Sequence, residues 1–212
     1  MIKKIFACFL LVMLLTGICC EAMGAKLTPP EKANYYCTNC GHFALKTPCA
    51  FCGLRSTLKR ASGYMTGKTS NVLAGRSGPG TEYTSLGTYR VKGEYVRIIN
   101  KSYDVNGVCW IQAEVHYGSK IRRIYTGLKR FDTRTFRTTR VSVEKPLNVA
   151  VTVVEETPAY YGPGNGYGIY DKLVVSVMEE ATLIRRENGF SLIEQENNGT
   201  PRRIWVPSYV LR

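Results

Sequence analysis

The sequence predicts a mainly β protein in which a small cysteine-bearing hairpin precedes two tandem β barrels. Three observations carry this prediction: the composition, a set of Asn-Gly turns and an internal repeat. The 212 residues include 20 Gly, 14 Tyr and 9 Pro, and aromatic residues favour strands whereas Gly and Pro favour the turns between them. Since 44% of the residues are hydrophobic, the composition is that of a folded protein and not of a disordered chain.

Three Asn-Gly pairs, at 106–107, 188–189 and 198–199, are the strongest local turn signals. Both central residues of a type I′ turn need a positive φ, which Asn and Gly adopt at low cost. The pairs lie beside runs rich in β-branched and aromatic residues, so each pair is expected to close a hairpin. The runs are 95–99, 108–115, 182–186, 190–195 and 203–206.

The second half of the chain repeats landmarks of the first half. SGPGTEY at 77–83 matches YGPGNGY at 161–167, and RRIY at 122–125 matches RRIW at 202–205. The Asn-Gly pairs at 106–107 and 188–189 fall between these landmarks in the same order. This order predicts a tandem duplication of a module of about 65 residues, which is close to the lower size limit of an independent domain.

Two segments of the repeat carry a family resemblance. SNVLAGRSGPGTEYTSLGTYRVKGEYVRII in the first copy and RRIWVPSYVL in the second resemble the opening and closing segments of bacterial SH3-like domains. The resemblance implies two tandem SH3-like β barrels, at 63–132 and 145–212, with a linker at 133–144. It also implies a noncatalytic role at the cell envelope, in which the barrels hold peptidoglycan or a cell-wall peptide.

Aromatic side chains near the Gly-Pro-Gly loops are the candidate ligand-binding residues. Rigid rings offer a large contact area at a low entropic cost, and a phenol adds a polar group that orients a peptide. Packing in a barrel core is the alternative for each ring, above all for the two tryptophans within strands. The candidates are Tyr83, Trp110, Tyr160, Tyr161, Tyr167, Trp205 and Tyr209.

Four cysteines form two C-x-x-C-G motifs, Cys37 with Cys40 and Cys49 with Cys52. Two such knuckles supply four thiolates, which suits tetrahedral zinc in a closed structural site and, less well, iron. The stretch YYCTNCGHFALKTPCAFCGL resembles the short bacterial zinc ribbon, assigned here to 35–56. Two alternatives stay open: a pair of disulfides formed after export, and a thiol–disulfide redox site.

The first 24 residues have the pattern of a secretory signal peptide. Lys3 and Lys4 precede an apolar run at 5–15, and Ala22-Met23-Gly24 supplies small residues for cleavage. A linker is expected at 25–34. The protein is therefore expected to be secreted or associated with the cell envelope, with no stable membrane span after cleavage, because the apolar run is shorter than a bilayer requires.

Positive charge is concentrated in one stretch of the chain. The net charge is +13, and residues 117–140 hold eight basic residues against Asp132 alone. In an exported protein this stretch predicts contact with anionic envelope polymers as a further alternative, and not with nucleic acid. The candidate residues are Lys120, Arg122, Arg123, Lys129 and Arg130.

Catalysis is not expected from this sequence. Only two histidines are present, His42 and His116, and neither belongs to a triad-like pattern. Cys109 and His116 lie seven residues apart in a predicted strand, where alternation places them on opposite faces. Cys109 is therefore expected to be a small apolar strand residue.

Overall fold

The computed structural model describes residues 33–50, 52–55, 58–60, 65–118, 120–136 and 138–212, without the side chain of Lys172. The predicted signal peptide, 1–24, and most of the predicted linker, 25–34, lie outside the described residues. Those residues contain sixteen strands in three antiparallel sheets and no α-helix. The prediction of a mainly β fold is confirmed.

The smallest sheet lies beside the four cysteines and has the strand order β2-β1-β3. Its strands are β1 (Tyr35–Cys37), β2 (Phe43–Ala44) and β3 (Leu58–Arg60). These strands and the four cysteines are referred to below as the cysteine unit.

Two larger sheets follow in the chain. The strands of the first are β4 (Thr66–Thr69), β5 (Leu73–Arg76), β6 (Ser85–Tyr89), β7 (Tyr95–Tyr103), β8 (Cys109–Tyr117), β9 (Lys120–Gly127) and β10 (Phe131–Asp132). The strands of the second are β11 (Val149–Thr152), β12 (Thr157–Tyr160), β13 (Ile169–Val175), β14 (Glu180–Glu187), β15 (Phe190–Asn197) and β16 (Thr200–Pro207). We refer to β4–β10 as the first module and to β11–β16 as the second module.

The two modules share one strand topology. The order is β4-β7-β8-β9-β5-β6 in the first module, where β10 adds an edge beside β4, and β11-β14-β15-β16-β12-β13 in the second. Irregularities in register also correspond, because a bulge follows Ile98 in β7 and Leu183 in β14. The sequence repeat is thus also a repeat of strand order.

Two of the three Asn-Gly pairs form the expected tight turns. Asn188 and Gly189 have φ values of 52° and 78°, and Asn198 and Gly199 have values of 51° and 76°. These turns connect β14 to β15 and β15 to β16 with two residues each. Positive φ at both central positions is the signature of a type I′ hairpin.

The pair at 106–107 differs, because it lies in a five-residue loop between β7 and β8. Only Gly107 of this pair has a positive φ. The carboxylate of Asp104 explains the longer loop. Its Oδ1 accepts the backbone N–H groups of Asn106 and Val108, and its Oδ2 accepts the indole N–H of Trp110 at 3.0 Å.

The two modules bury one shared hydrophobic core. Fully buried residues from both sheets, such as Ile111 and Ile204, belong to one contact cluster. The segment expected to be a linker, 133–144, also packs against this core through Phe136 and Val141. It forms two short 3-10 turns, at Thr133–Thr135 and Thr138–Arg140.

Contacts between the modules are reciprocal. Within each module a buried arginine pairs with a glutamate on the neighbouring strand: Arg123 with Glu114 at 2.9 Å, and Arg203 with Glu194 at 2.7 Å. The tyrosine after each Gly-Pro-Gly loop donates to the glutamate of the other module, Tyr83 to Glu194 and Tyr167 to Glu114. Such an exchange of equivalent contacts is the pattern of an isologous interface.

Further charged groups complete this interface. Glu144, from the segment before the second module, accepts hydrogen bonds from Arg203 at 2.7 Å and from Tyr125 at 2.8 Å. Arg123 also pairs with Glu187 of the second module at 2.7 Å. Buried ions lose their hydration, so they are tolerated only when each is paired and hydrogen-bonded, as these are.

Replacing Glu114 by Gln tests this network. The amide keeps the shape but removes the buried charge that pairs with Arg123 and Arg97, so the free energy of unfolding should fall by about 3–5 kcal/mol. Urea denaturation provides the measurement, and Glu155→Gln, at an exposed carboxylate, is the control that should change stability by less than about 0.5 kcal/mol. Equal stability of the two variants would show that the network contributes nothing.

The same variant should alter the acid sensitivity. Burial alone raises the pKa of Glu114, but Arg123 and Arg97 outweigh burial and hold it below its ordinary value of 4.5. The stabilisation is therefore complete above pH 4.5 and is lost as the pH falls through the lowered value. Below pH 4.5 the wild-type protein should lose stability more steeply than Glu114→Gln, and parallel curves would contradict this assignment.

Candidate functional site

The four cysteines meet in a single cluster at one end of the cysteine unit. All four sulfur atoms lie within 4.8 Å of one another, and the Cys37–Cys52 and Cys40–Cys49 sulfur pairs are each 3.6 Å apart. The two knuckles have matching geometry. Gly41 and Gly53 adopt φ values of 77° and 71°, and their N–H groups donate to the carbonyls of Cys37 and Cys49.

The sulfur spacing fits a metal ion and not two disulfides. A disulfide places its sulfurs about 2.05 Å apart, whereas a tetrahedral ion with Zn–S bonds of about 2.3 Å places them about 3.8 Å apart. The pKa of the Cys40 thiol is raised, mainly by a hydrogen bond with Cys37 and secondly by burial. A cation bound among the four sulfurs would favour the thiolate and so lower this pKa. The cluster can therefore hold a metal ion such as zinc.

The cysteine unit docks on the strands β7, β8 and β9 of the first module. The hydroxyl of Tyr36, a fully buried residue, donates to Glu114 at 2.7 Å. The guanidinium of Arg97 lies 5.7 Å from the centre of the Tyr36 ring. Gly41 sits so close to β9 that a Cβ there would come within 2.5 Å of Ile121.

The corresponding face of the second module is an open groove of about 680 Å³. Strand registers relate the two faces position by position. The equivalent pairs are Arg97 and Thr182, Glu114 and Glu194, His116 and Glu196, and Ile121 and Pro201. Every second-module member of these pairs lines the groove. The groove is thus the second copy of the surface that holds the cysteine unit in the first module.

The groove carries negative charge and hydrogen-bond acceptors. Glu180, Glu194 and Glu196 lie along it, with small residues such as Ala150 and Ala181 between them. Glu194 is paired with Arg203, and none of the described residues that line the groove is basic. Gln195 is largely buried in its wall and donates to Glu179 at 2.7 Å. The carbonyl oxygen of its side chain is buried and has no hydrogen-bond partner among the described atoms.

Most of the predicted ligand-binding aromatics take part in packing. Trp110, Tyr161 and Trp205 are 7%, 3% and 2% exposed. The indole of Trp110 donates to Asp104, and the hydroxyl of Tyr161 donates to Asp171 at 2.6 Å. These rings therefore present little surface to a ligand in this conformation.

The other four predicted aromatics divide between the interface and the surface. Tyr83 and Tyr167 donate across the module interface, as described above. Tyr160 is half-buried and packs edge-on against Phe190, with ring centres 5.5 Å apart. Tyr209 is 73% exposed. Tyr83 and Tyr167 are half-buried, as Tyr160 is. Tyr209 is thus the predicted ring with the largest exposed surface.

The predicted anion-binding residues do not form one continuous patch. Arg123 is buried in the module interface, and Arg122 lies between the rings of Tyr117 and Tyr161, 3.7 Å and 3.9 Å from their centres. Lys120 and Lys129 are exposed, and Arg130 is half-buried. Two of the five cations are thus engaged by protein groups.

Comparison with known proteins assigns no family to the chain. No protein-family model matches it, and no curated protein does either. None of the described residues forms a helix with the length and apolarity needed to cross a lipid bilayer.

Two glutamates that hold the parts of the fold together were not among the predicted site residues. Glu114 and Glu194 hold the module interface, and Glu114 also holds the cysteine unit. One signal was available: the two glutamates occupy equivalent positions, each nine residues before the arginine of an Arg-Arg-Ile motif. A charged pair repeated within two predicted strands indicates a structural or functional position.

Removing metal from the cysteine unit should unfold that unit selectively. Its sheet is too small to be stable alone, and structural zinc supplies about 10–16 kcal/mol to such units. After chelation, hydrogen exchange in β1–β3 should become fast while exchange in β14–β16 stays slow.

Cys40→Ser should reproduce this pattern without a chelator, and Cys109→Ser, outside the cluster, should not. Unchanged exchange after chelation, with four thiols unreactive in denaturant until a reductant is added, would instead indicate two disulfides.

Proposed function

We propose that the protein is a noncatalytic, exported binding protein of the bacterial cell envelope, and that its ligand is a cell-wall peptide bearing a free amine. The observation that supports it best is the open groove of the second module. The equivalent surface of the first module already holds a polypeptide unit, with Tyr36 inserted against Glu114. A surface that holds a folded hairpin in one copy is suited to a peptide in the other.

The chemistry of the groove selects the type of peptide. Glu180 and Glu196 are exposed carboxylates that line the groove, and their oxygens accept hydrogen bonds from ammonium and N–H groups. Stem peptides of peptidoglycan contain a diamino acid, whose side chain ends in an amine. The small residues between the carboxylates let a peptide backbone approach the sheet closely.

The cysteine unit has a structural role in this proposal. A closed site of four thiolates leaves no coordination position for a substrate, which is typical of structural zinc. By holding β1–β3 in shape, zinc would keep Tyr36 against Glu114 and so keep the first face covered. The single cluster of four sulfurs also supports this role over a redox role, in which one C-x-x-C pair cycles by itself.

The predicted signal peptide at 1–24 supports a location outside the cytoplasm. Two modules packed through a shared core would act there as one rigid body. The second module would supply the ligand groove.

Titration with a synthetic stem peptide tests the groove directly. Calorimetry should detect binding of the peptide with a free diamino-acid amine and weaker binding of the same peptide after acetylation of that amine. Glu180→Gln and Glu196→Gln should each weaken binding up to about fivefold, the effect of losing an exposed ion pair of about 1 kcal/mol.

Glu155→Gln is the matched control, because it removes an exposed carboxylate outside the groove. Equal affinity for the free and acetylated peptides would contradict the role of the carboxylates. Absence of binding to both peptides and to purified peptidoglycan would overturn the proposed function.

A second candidate function is the binding of anionic envelope polymers, and a basic cleft in the first module favours it. The cleft has a volume of about 520 Å³ and lies at the β4–β10 edge, where Lys68, Lys92 and Arg134 line it with Asp132. Arg134 pairs with Asp132 at 2.9 Å, so two lysines supply the uncompensated charge. Retention on peptidoglycan that falls steeply with salt, and that Lys68→Gln reduces, would favour this candidate.

A further inference from the structure

A second group of potential metal ligands lies where the cysteine unit meets the first module. His42, Glu94 and His116 each offer one donor atom, and the three atoms lie within 4.8 Å of one another. The Nε2 atom of His116 is 2.6 Å from a carboxylate oxygen of Glu94. The imidazole rings of His42 and His116 have centres 4.2 Å apart and planes tilted by 35°.

The backbone fixes the two ligands from the first module. His116 lies near the end of β8, where it pairs with Ile121 of β9. Glu94 directly precedes β7, and its N–H and carbonyl are hydrogen-bonded to Val91 and Thr69. Neither residue lies in a long loop, so the positions of both ligands are fixed before a metal ion binds.

The third ligand comes from the cysteine unit. His42 follows the first knuckle, and its Nδ1 atom is 3.4 Å from the sulfur of Cys40. An Nδ1–H group that donates to this sulfur leaves Nε2 as the nitrogen with a lone pair for a metal. Histidine ligands are commonly oriented in this way, by a hydrogen bond from the other ring nitrogen.

We propose that His42, Glu94 and His116 form a second metal site, separate from the four cysteines, for a divalent first-row ion such as Zn²⁺. Two imidazoles and one carboxylate are a common protein ligand set for zinc, with bonds of about 2.0–2.2 Å. The ion takes the place of the direct contact between His116 and Glu94, and these two atoms move apart to admit it. Because the side chains of His116 and Glu94 are 27% and 17% exposed, solvent can supply the fourth ligand.

A metal ion at this site would link the cysteine unit to the first module. One ligand belongs to the cysteine unit and two belong to the first module, so a bound ion joins two parts of the fold that otherwise meet through side-chain contacts such as Tyr36 with Glu114. The equivalent of His116 in the second module is Glu196, which lines the open groove. The metal site is therefore specific to the copy that holds the cysteine unit.

Cobalt titration of the intact protein tests the proposal, since Co²⁺ replaces Zn²⁺ and its spectrum distinguishes the two sites. Thiolate coordination gives an intense charge-transfer band, whereas a nitrogen and oxygen site gives only weak visible absorption. After the thiolate band saturates, the wild-type protein should bind a second equivalent with weak visible absorption alone. Absence of this second phase in the wild-type protein overturns the proposal.

Two variants assign the second phase to its ligands. Glu94→Gln and His116→Ala should each lower the zinc content by one equivalent, measured by elemental analysis, while the cobalt–thiolate band stays unchanged and shows that the cysteine unit is intact. Glu155→Gln is the matched control and should keep the wild-type zinc content. The same zinc content in wild-type protein and in Glu94→Gln contradicts the assignment even if His116→Ala fails to fold.

Discussion

The rest of the structure depends on the contacts that the carboxylate of Glu114 makes. It receives the hydroxyl of Tyr36 from the cysteine unit, the hydroxyl of Tyr167 from the second module, and the guanidinium groups of Arg97 and Arg123 from the first module. All three parts of the fold therefore meet at one buried charge. A carboxylate this deeply buried is stable only with such a complete set of donors.

The repeat gives the molecule two equivalent faces, one covered and one open. In the first module the face around Glu114 is covered by the cysteine unit, and in the second module the face around Glu194 is a groove. Substitutions at equivalent positions accompany this difference. His116 and Ile121 contact or approach the cysteine unit, whereas Glu196 and Pro201 line open space. The open face is the surface for which we propose a ligand.

The sequence was sufficient to predict the elements that local physics controls. Asn188-Gly189 and Asn198-Gly199 form the expected turns because these residues adopt positive φ at low cost. Each C-x-x-C-G motif contributes two of the four clustered sulfurs, as its spacing predicts. The repeat of Gly-Pro-Gly and Arg-Arg-Ile landmarks corresponds to a repeat of strand order.

Contacts between distant parts of the chain could not be predicted in the same way. Nothing local to Tyr83 or Tyr167 indicates that their hydroxyls cross to the opposite module, and Trp205 was a candidate ligand contact because burial is not visible in a strand pattern. His42 and His116 are far apart in sequence, and only the docking of the cysteine unit brings their rings together. The two-residue turn predicted at 106–107 is also not formed, since the side chain of Asp104 holds a longer loop in its place.

A double-mutant cycle between Tyr36→Phe and Glu114→Gln measures the central contact most directly. Denaturation of the wild-type protein, both single variants and the double variant gives the coupling between the hydroxyl and the carboxylate. The structure predicts a coupling of about 0.5–3 kcal/mol, the range for residues in one hydrogen-bonded network. Additive effects of the two substitutions would show that the cysteine unit is not held at Glu114, and would contradict this description of the fold.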